Sequence, residues 1–307
     1  MSIAFLYAGQ GSQHPGMGAD LYETYPQFRA VLDGADLDFD VKEVSFQDSR
    51  GVLNETRYTQ PCMVAFAVGV TQILNHEGIR PDYVAGLSLG EYSALQAAGV
   101  FNPQQAISLV AFRGKVMAEA AKDVPCGMTA VLGLDRAKLE QACEQASALG
   151  VVCIANYNCP GQLVIGGHQA AVDEAARLAK EMGARRCMPL KVSGPFHTPL
   201  LKPAGDALAE KFKGETFGEM QVPVLFNCLG REMGPDDTIP ALLERQVQSS
   251  VYMEDTIRRL AELGVDTIVE IGPGKVLSGF VRKTTPEIKT YAVETVADVQ
   301  ALVQALK

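Results

Sequence analysis

The chain alternates short apolar runs with amphipathic stretches, and the grammar of that alternation changes partway along. Ile3-Ala4-Phe5-Leu6-Tyr7-Ala8 is an unbroken apolar run that stops at Gly9, which predicts a buried strand. Pro61 opens an apolar helix running to about Asn75. Tyr83-Val84-Ala85, bounded by Pro81 and Asp82, predicts a second strand, and Glu91–Ala98 a helix that stops at Gly99. Pro103 opens a further helix to about Ala121. Strands alternating with helices predict an α/β domain.

From Gly127 the order differs. Gly127–Leu132 predicts a strand, and Asp135 caps a helix to about Ala148. Val151–Ala155 and Gln162–Ile165 predict strands joined by a turn through Asn158-Cys159-Pro160-Gly161. Gln169–Met182 predicts a helix and Arg185–Leu190 a strand. The succession β-α-β-β-α-β is that of a ferredoxin-like unit, here spanning 124–193 and inserted into the larger domain. The expected division is therefore 1–123 plus 194–307 for the large domain and 124–193 for the small one. Beyond it a helix begins near Pro199, and Val222–Phe226 predicts a strand. Two helices follow over 238–263, then a strand over Asp266–Glu270, the turn Gly272-Pro273-Gly274, and a closing strand and helix.

Composition narrows the class. The 307 residues are 47% hydrophobic and 21% charged, enough for a large core in one or two domains. No apolar run is long enough to span a bilayer, and Met1–Ala8 lacks the basic start of a signal peptide. Seven cysteines without a C-x-x-C pair suggest reduced thiols in a cytoplasmic setting. The four histidines show no metal-ligand spacing, so no metal is expected. A formal charge of −9 argues against nucleic-acid binding.

Gly86-Leu87-Ser88-Leu89-Gly90 carries the candidate chemistry. It reads G-x-S-x-G between a predicted strand and helix, the pattern of a nucleophile elbow. Small residues on both sides let the turn tighten until the serine hydroxyl projects. The following helix N-terminus offers N–H groups to a developing oxyanion. A serine nucleophile needs a base. His197 lies in a loop broken by Pro195 and Pro199, where the inserted unit returns to the large domain, and is the first candidate. His14, in the glycine-rich loop after the first strand, is the second. No third acidic residue is evident: Asp82 and Glu91 flank the elbow, but a backbone carbonyl orients an imidazole equally well. Arg113 sits in an apolar helix beside Gly114, either clamping a carboxylate or lying on the helix surface with its stem packed. Gly9-Gln10-Gly11-Ser12-Gln13 fits neither a dinucleotide fingerprint nor a Walker loop, and is a candidate source of a second oxyanion donor.

Together these motifs resemble the malonyl-CoA:acyl carrier protein transacylases of fatty acid synthesis. The resemblance covers nearly the whole chain. It rests on Gly9–Gln13, Thr59-Gln60-Pro61, Gly86–Leu95, Arg113-Gly114, Asn156-Tyr157-Asn158 with Pro160-Gly161-Gln162, Phe196-His197, and Glu270 with Gly272-Pro273-Gly274. It implies a large α/β-hydrolase-like (patatin-like) domain with the ferredoxin-like insertion. It implies Ser88 as a nucleophile that becomes a malonyl ester, His197 as general base, and Arg113 as clamp for the malonate carboxylate. Backbone N–H groups of Gln10 and Leu89 would form the oxyanion hole. Gln60 would lie near the acyl group, and Phe196 would crowd its α-carbon. The carbonyl of Tyr252 is expected to orient His197. Malonyl-CoA and holo acyl carrier protein are the implied partners, with no cofactor beyond the coenzyme A thioester and a monomeric state. Lys115, Lys191, Lys202, Arg282 and Lys283 are candidates for docking an acidic carrier. Leu87 departs from the family's usual histidine before the serine, and Ala8 from its usual proline. Rival readings on the same elbow are a thioesterase or esterase, an acyltransferase serving a polyketide synthase, and a carrier-binding scaffold with a dead site.

Overall fold

The computed structural model describes residues 1–307. Its strands are β1 (Ile3–Tyr7), β2 (Tyr83–Gly86), β3 (Cys126–Leu132), β4 (Val152–Cys159), β5 (Gln162–His168) and β6 (Arg186–Pro189). They continue as β7 (Val224–Phe226), β8 (Arg231–Glu232), β9 (Val251–Tyr252), β10 (Thr267–Ile271) and β11 (Lys289–Val293). The fold is mixed α/β, and the chain divides into two compact units.

The first unit comprises 1–115, 217–226 and 258–307. Its sheet is parallel, in the order β11-β10-β1-β2-β7. Every residue of β1 and β10 is buried, as expected of parallel strands covered on both faces. The helix Thr56–His76 is buried almost all round, as a helix apolar on every side must be. It begins five residues before the expected start at Pro61, so the proline lies inside it. The turn before Pro61 is held by Tyr58 and Thr59, whose N–H groups both bond the Glu55 carbonyl, and by Thr59 Oγ1 on the Leu53 carbonyl at 2.5 Å. Three helices near the start, Ala19–Thr24, Pro26–Asp33 and Val41–Phe46, are absent from the sequence expectation.

The second unit comprises 116–216 and 227–257, larger than the expected 124–193. Its core is the foreseen succession: β3, the helix Arg136–Ala146, β4, β5, the helix Gln169–Glu181, and β6. The strands pair antiparallel in the order β6-β3-β5-β4. One sheet face packs the two helices through Val131, Leu139, Ile154, Leu163 and Val172. The other presents Met128, Ala130, Ala155 and Val164, with Phe196 against them. Alternate residues of β3 thus serve opposite faces. The unit is larger because β9 pairs parallel to the far edge of β4. Ser250 Oγ also bonds the Ile154 carbonyl at 2.7 Å, and Arg136 holds Asp255 through two bonds of 2.9 and 3.2 Å. These contacts draw the stretch after β8 into the small unit.

Candidate active site

In the first unit, β2 ends at Gly86 and the helix Gly90–Ala97 starts four residues later. The turn between them is tight enough to exclude side chains at both glycines. A Cβ on Gly86 would lie 2.1 Å from the Gly90 carbonyl carbon, and one on Gly90 would lie 2.4 Å from the Tyr7 carbonyl oxygen. Ser88 at its apex has φ +55°, in the left-handed region that an L-residue enters at a cost of roughly 1–2 kcal/mol. Four non-glycine residues have positive φ, and Ser88 and His197 are two of them. Such strain persists where the surroundings over-determine it, and it clusters at functional sites.

Tyr7 of β1 pairs with Gly86 of β2, so Gln10 and Leu89 both lie three residues beyond paired strand ends. Neither backbone N–H has an acceptor within the chain. These are the two N–H groups expected of the oxyanion hole, held at neighbouring C-terminal strand ends where α/β sheets bind ligands.

Arg113 lies in the helix Pro103–Ala121 and is fully buried. It donates through Nη1 to Gln60 Oε1 at 2.6 Å and through Nη2 to Ser88 Oγ at 3.1 Å. Its guanidinium sits over the Tyr92 ring, 5.7 Å from the centroid. Burial pulls its pKa below the ordinary arginine value, against the opposing influence of Tyr92 and Glu91. Burial excludes the surface reading of Arg113 that the sequence left open. Gln60 is likewise buried and accepts from the guanidinium.

His197, in the second unit, is buried at 3% exposure with φ +60°. Its Nδ1 lies 2.9 Å from the Gln246 carbonyl oxygen. A carbonyl only accepts, so Nδ1 carries the proton and the neutral ring keeps Nε2 as its basic nitrogen. The expected orienting carbonyl was Tyr252, and the structure corrects this. Tyr252 lies beyond the helix Ile239–Val247, and its carbonyl accepts from Thr256 Oγ1 at 2.9 Å. Its ring stacks on Tyr157 with centroids 4.9 Å apart, while Gln246, in the last turn of that helix, turns its carbonyl to the imidazole. Phe196 is half-buried against the small unit's open sheet face.

His14, the second candidate base, has both ring nitrogens engaged. Its Nδ1 lies 3.0 Å from the Pro15 carbonyl and its Nε2 2.6 Å from Glu294 Oε1, and both partners accept. The bond to Glu294 favours the protonated ring and raises its pKa above the ordinary histidine value. Of the docking candidates, Lys202 is bonded to Asp206 at 2.6 Å, while Lys115, Lys191, Arg282 and Lys283 are exposed. No group of three or more histidine, cysteine or acidic side chains is placed to hold a metal ion. No helix is long and apolar enough to cross a membrane.

Residues 4–302 match the model of the acyl transferase domain. A malonyl CoA-acyl carrier protein transacylase of Bacillus subtilis is 41% identical over 99% of this chain and 97% of its own. A solved structure described as MCAT from Streptococcus pneumoniae superposes with a TM-score of 0.95 at 45% identity, covering 99% of this chain and all (100%) of that one. A third relative, a malonyl-transacylase solved with its type II polyketide acyl-carrier protein, has a TM-score of 0.95 at 36% identity over 99% of this chain and 100% of its own. The class is that of an α/β acyltransferase. Within it, the chain belongs to the malonyl CoA-acyl carrier protein transacylase family.

Proposed function

We propose that the protein moves the malonyl group from malonyl-CoA to the phosphopantetheine thiol of acyl carrier protein by a ping-pong route through a Ser88 ester. The observation that carries this reading is the buried Arg113 fork, bonded to Ser88 Oγ on one arm and Gln60 on the other. A hydrolase of neutral esters has no use for a buried cation beside its nucleophile, whereas an acyl group ending in a carboxylate does.

His197 Nε2 takes the Ser88 proton as the oxygen attacks the thioester carbonyl. The Gln10 and Leu89 N–H groups hold the tetrahedral oxyanion, and removal of one such donor typically costs ~10²–10³ in rate. The imidazolium protonates the departing coenzyme A thiolate. The carrier thiol then gives its proton to His197 and attacks the ester, which restores Ser88. The step is thioester exchange and draws on no redox chemistry. The strand order β6-β3-β5-β4 supports reading the small unit as ferredoxin-like, and the elbow on a parallel sheet supports a hydrolase-like, patatin-like large domain. Fatty acid synthesis in the cytoplasm is the setting the family suggests. A polyketide carrier is the second reading, favoured by the relative solved with one.

Transfer of radiolabelled malonyl from malonyl-CoA to holo acyl carrier protein tests the assignment. Ser88→Ala is expected to abolish it. Transfer at the wild-type rate by that variant would remove Ser88 from the reaction.

A further inference from the structure

His14, the second candidate base from the sequence, has no task in the proposed reaction. It belongs to the loop that carries the Gln10 N–H. Just before the loop, the Ala8 N–H bonds the Ile271 carbonyl, and just after it the Gly16 N–H bonds the Ser45 carbonyl, at 3.0 and 2.9 Å. From Gly9 to His14 no N–H group bonds a backbone carbonyl. The loop is shaped by side chains instead. Thr56 Oγ1 donates to Gln10 Oε1 at 2.5 Å, and Gln13 Nε2 to Asn54 Oδ1 at 2.8 Å. His14 Nε2 in turn bonds Glu294 Oε1, at 2.6 Å.

Glu294 sits just past the end of β11, and its second oxygen accepts from the Gly274 N–H at 2.9 Å. One carboxylate therefore ties the glycine-rich loop to the Gly272-Pro273-Gly274 turn. Glu294 is itself fixed, because its N–H donates to Asp298 Oδ2 at 3.1 Å.

We infer that the His14–Glu294 pair is a clasp that positions the Gln10 N–H for oxyanion binding, which makes both residues positioning residues for acyl transfer. The inference rests on the proposed role of Gln10. The two side chains are 51% and 26% exposed, and an ion pair so placed contributes little to global stability. Its effect belongs in the geometry of the loop. A donor held slightly out of place costs less than a donor removed, so the expected loss is about tenfold in the acylation rate.

The test is the rate of Ser88 acylation by malonyl-CoA, followed by rapid quench and intact mass, together with KM and Tm. His14→Ala and Glu294→Ala are each expected to lower kcat about tenfold, with KM within about twofold and Tm within a few degrees. The double variant is expected to be no slower than the slower single one, because the two residues act as one unit. Glu294→Gln, which keeps one acceptor oxygen but sets an amide donor against the other N–H, is expected to fall between the wild type and the alanine variants. Wild-type kcat in the alanine variants, losses that multiply in the double variant, or a fall that tracks Tm would each overturn the clasp. Failure of the wild-type protein to form a Ser88 ester would instead overturn the transfer reading beneath it.

Discussion

Replacement of Arg113 is expected to separate acyl selectivity from the rest of catalysis. Its fork donates to Gln60 and to Ser88 Oγ, at 2.6 and 3.1 Å, from a fully buried position. A malonyl carboxylate entering there would accept two parallel charge-assisted bonds, each contributing about 1.5–3 kcal/mol. After allowance for the Gln60 bond that is given up, roughly 3–4 kcal/mol of selective binding remains, or two to three decades at about 1.4 kcal/mol per decade. Arg113→Met is therefore expected to lower kcat/KM for malonyl-CoA by ~10²–10³. Acetyl-CoA should lose nothing and is expected to gain, since it no longer leaves a buried guanidinium facing a methyl group. Arg113→Lys keeps the charge but not the planar fork, and is expected to fall between. The assay is steady-state transfer to holo carrier protein with each thioester in competition. An equal loss for malonyl- and acetyl-CoA would refute the clamp and leave Arg113 a support for the elbow.

Other substitutions probe the neighbouring claims. Tyr252→Leu is expected to remove the stack on Tyr157, costing about 1 kcal/mol in urea unfolding, while the pH profile of acylation stays put because Gln246 holds His197. A displaced profile would restore Tyr252 as the orienting residue. Phe196→Ser is expected to raise methylmalonyl relative to malonyl turnover, and an unchanged ratio would show that Phe196 does not crowd the α-carbon. Glu270 is buried at the start of the helix Val276–Thr284 and accepts from the Leu277 and Ser278 N–H groups and from Ser278 Oγ, at 2.9, 2.7 and 2.6 Å. Burial raises its pKa despite those bonds, so its contribution to stability is full at low pH and is lost as pH rises through the raised value. Glu270→Gln places a donor among three donors and is expected to cost about 1–3 kcal/mol at low pH, with the gap narrowing as pH rises above the ordinary carboxylate range. A gap that widens with pH would reverse the assigned sign.

The parts of the site that the sequence exposes are those with a local signature. Ser88 is legible because a strand, a tight glycine turn and a helix are written in consecutive residues. The β-α-β-β-α-β core is legible because each element carries its own period. Burial of Arg113 is not, since the same apolar helix face suits a packed stem or an interior charge. The Gln246 carbonyl is invisible for a stronger reason: every residue has a carbonyl, and only the fold decides which one meets an imidazole. The boundary of the small unit is missed because β9 is two residues long and joins β4 across ninety-five positions. The start of the Thr56–His76 helix is missed because Pro61 reads as an opening residue, yet here it lies past the first turn. The link from His14 to Glu294 spans 280 residues and leaves no local trace.

The most direct test of the central claim is intact-mass spectrometry after brief mixing with malonyl-CoA and then with holo acyl carrier protein. The account predicts a malonyl adduct on Ser88 that persists in buffer and moves to the carrier thiol. An adduct that disappears without the carrier, releasing malonate, would make the protein a thioesterase and contradict the account.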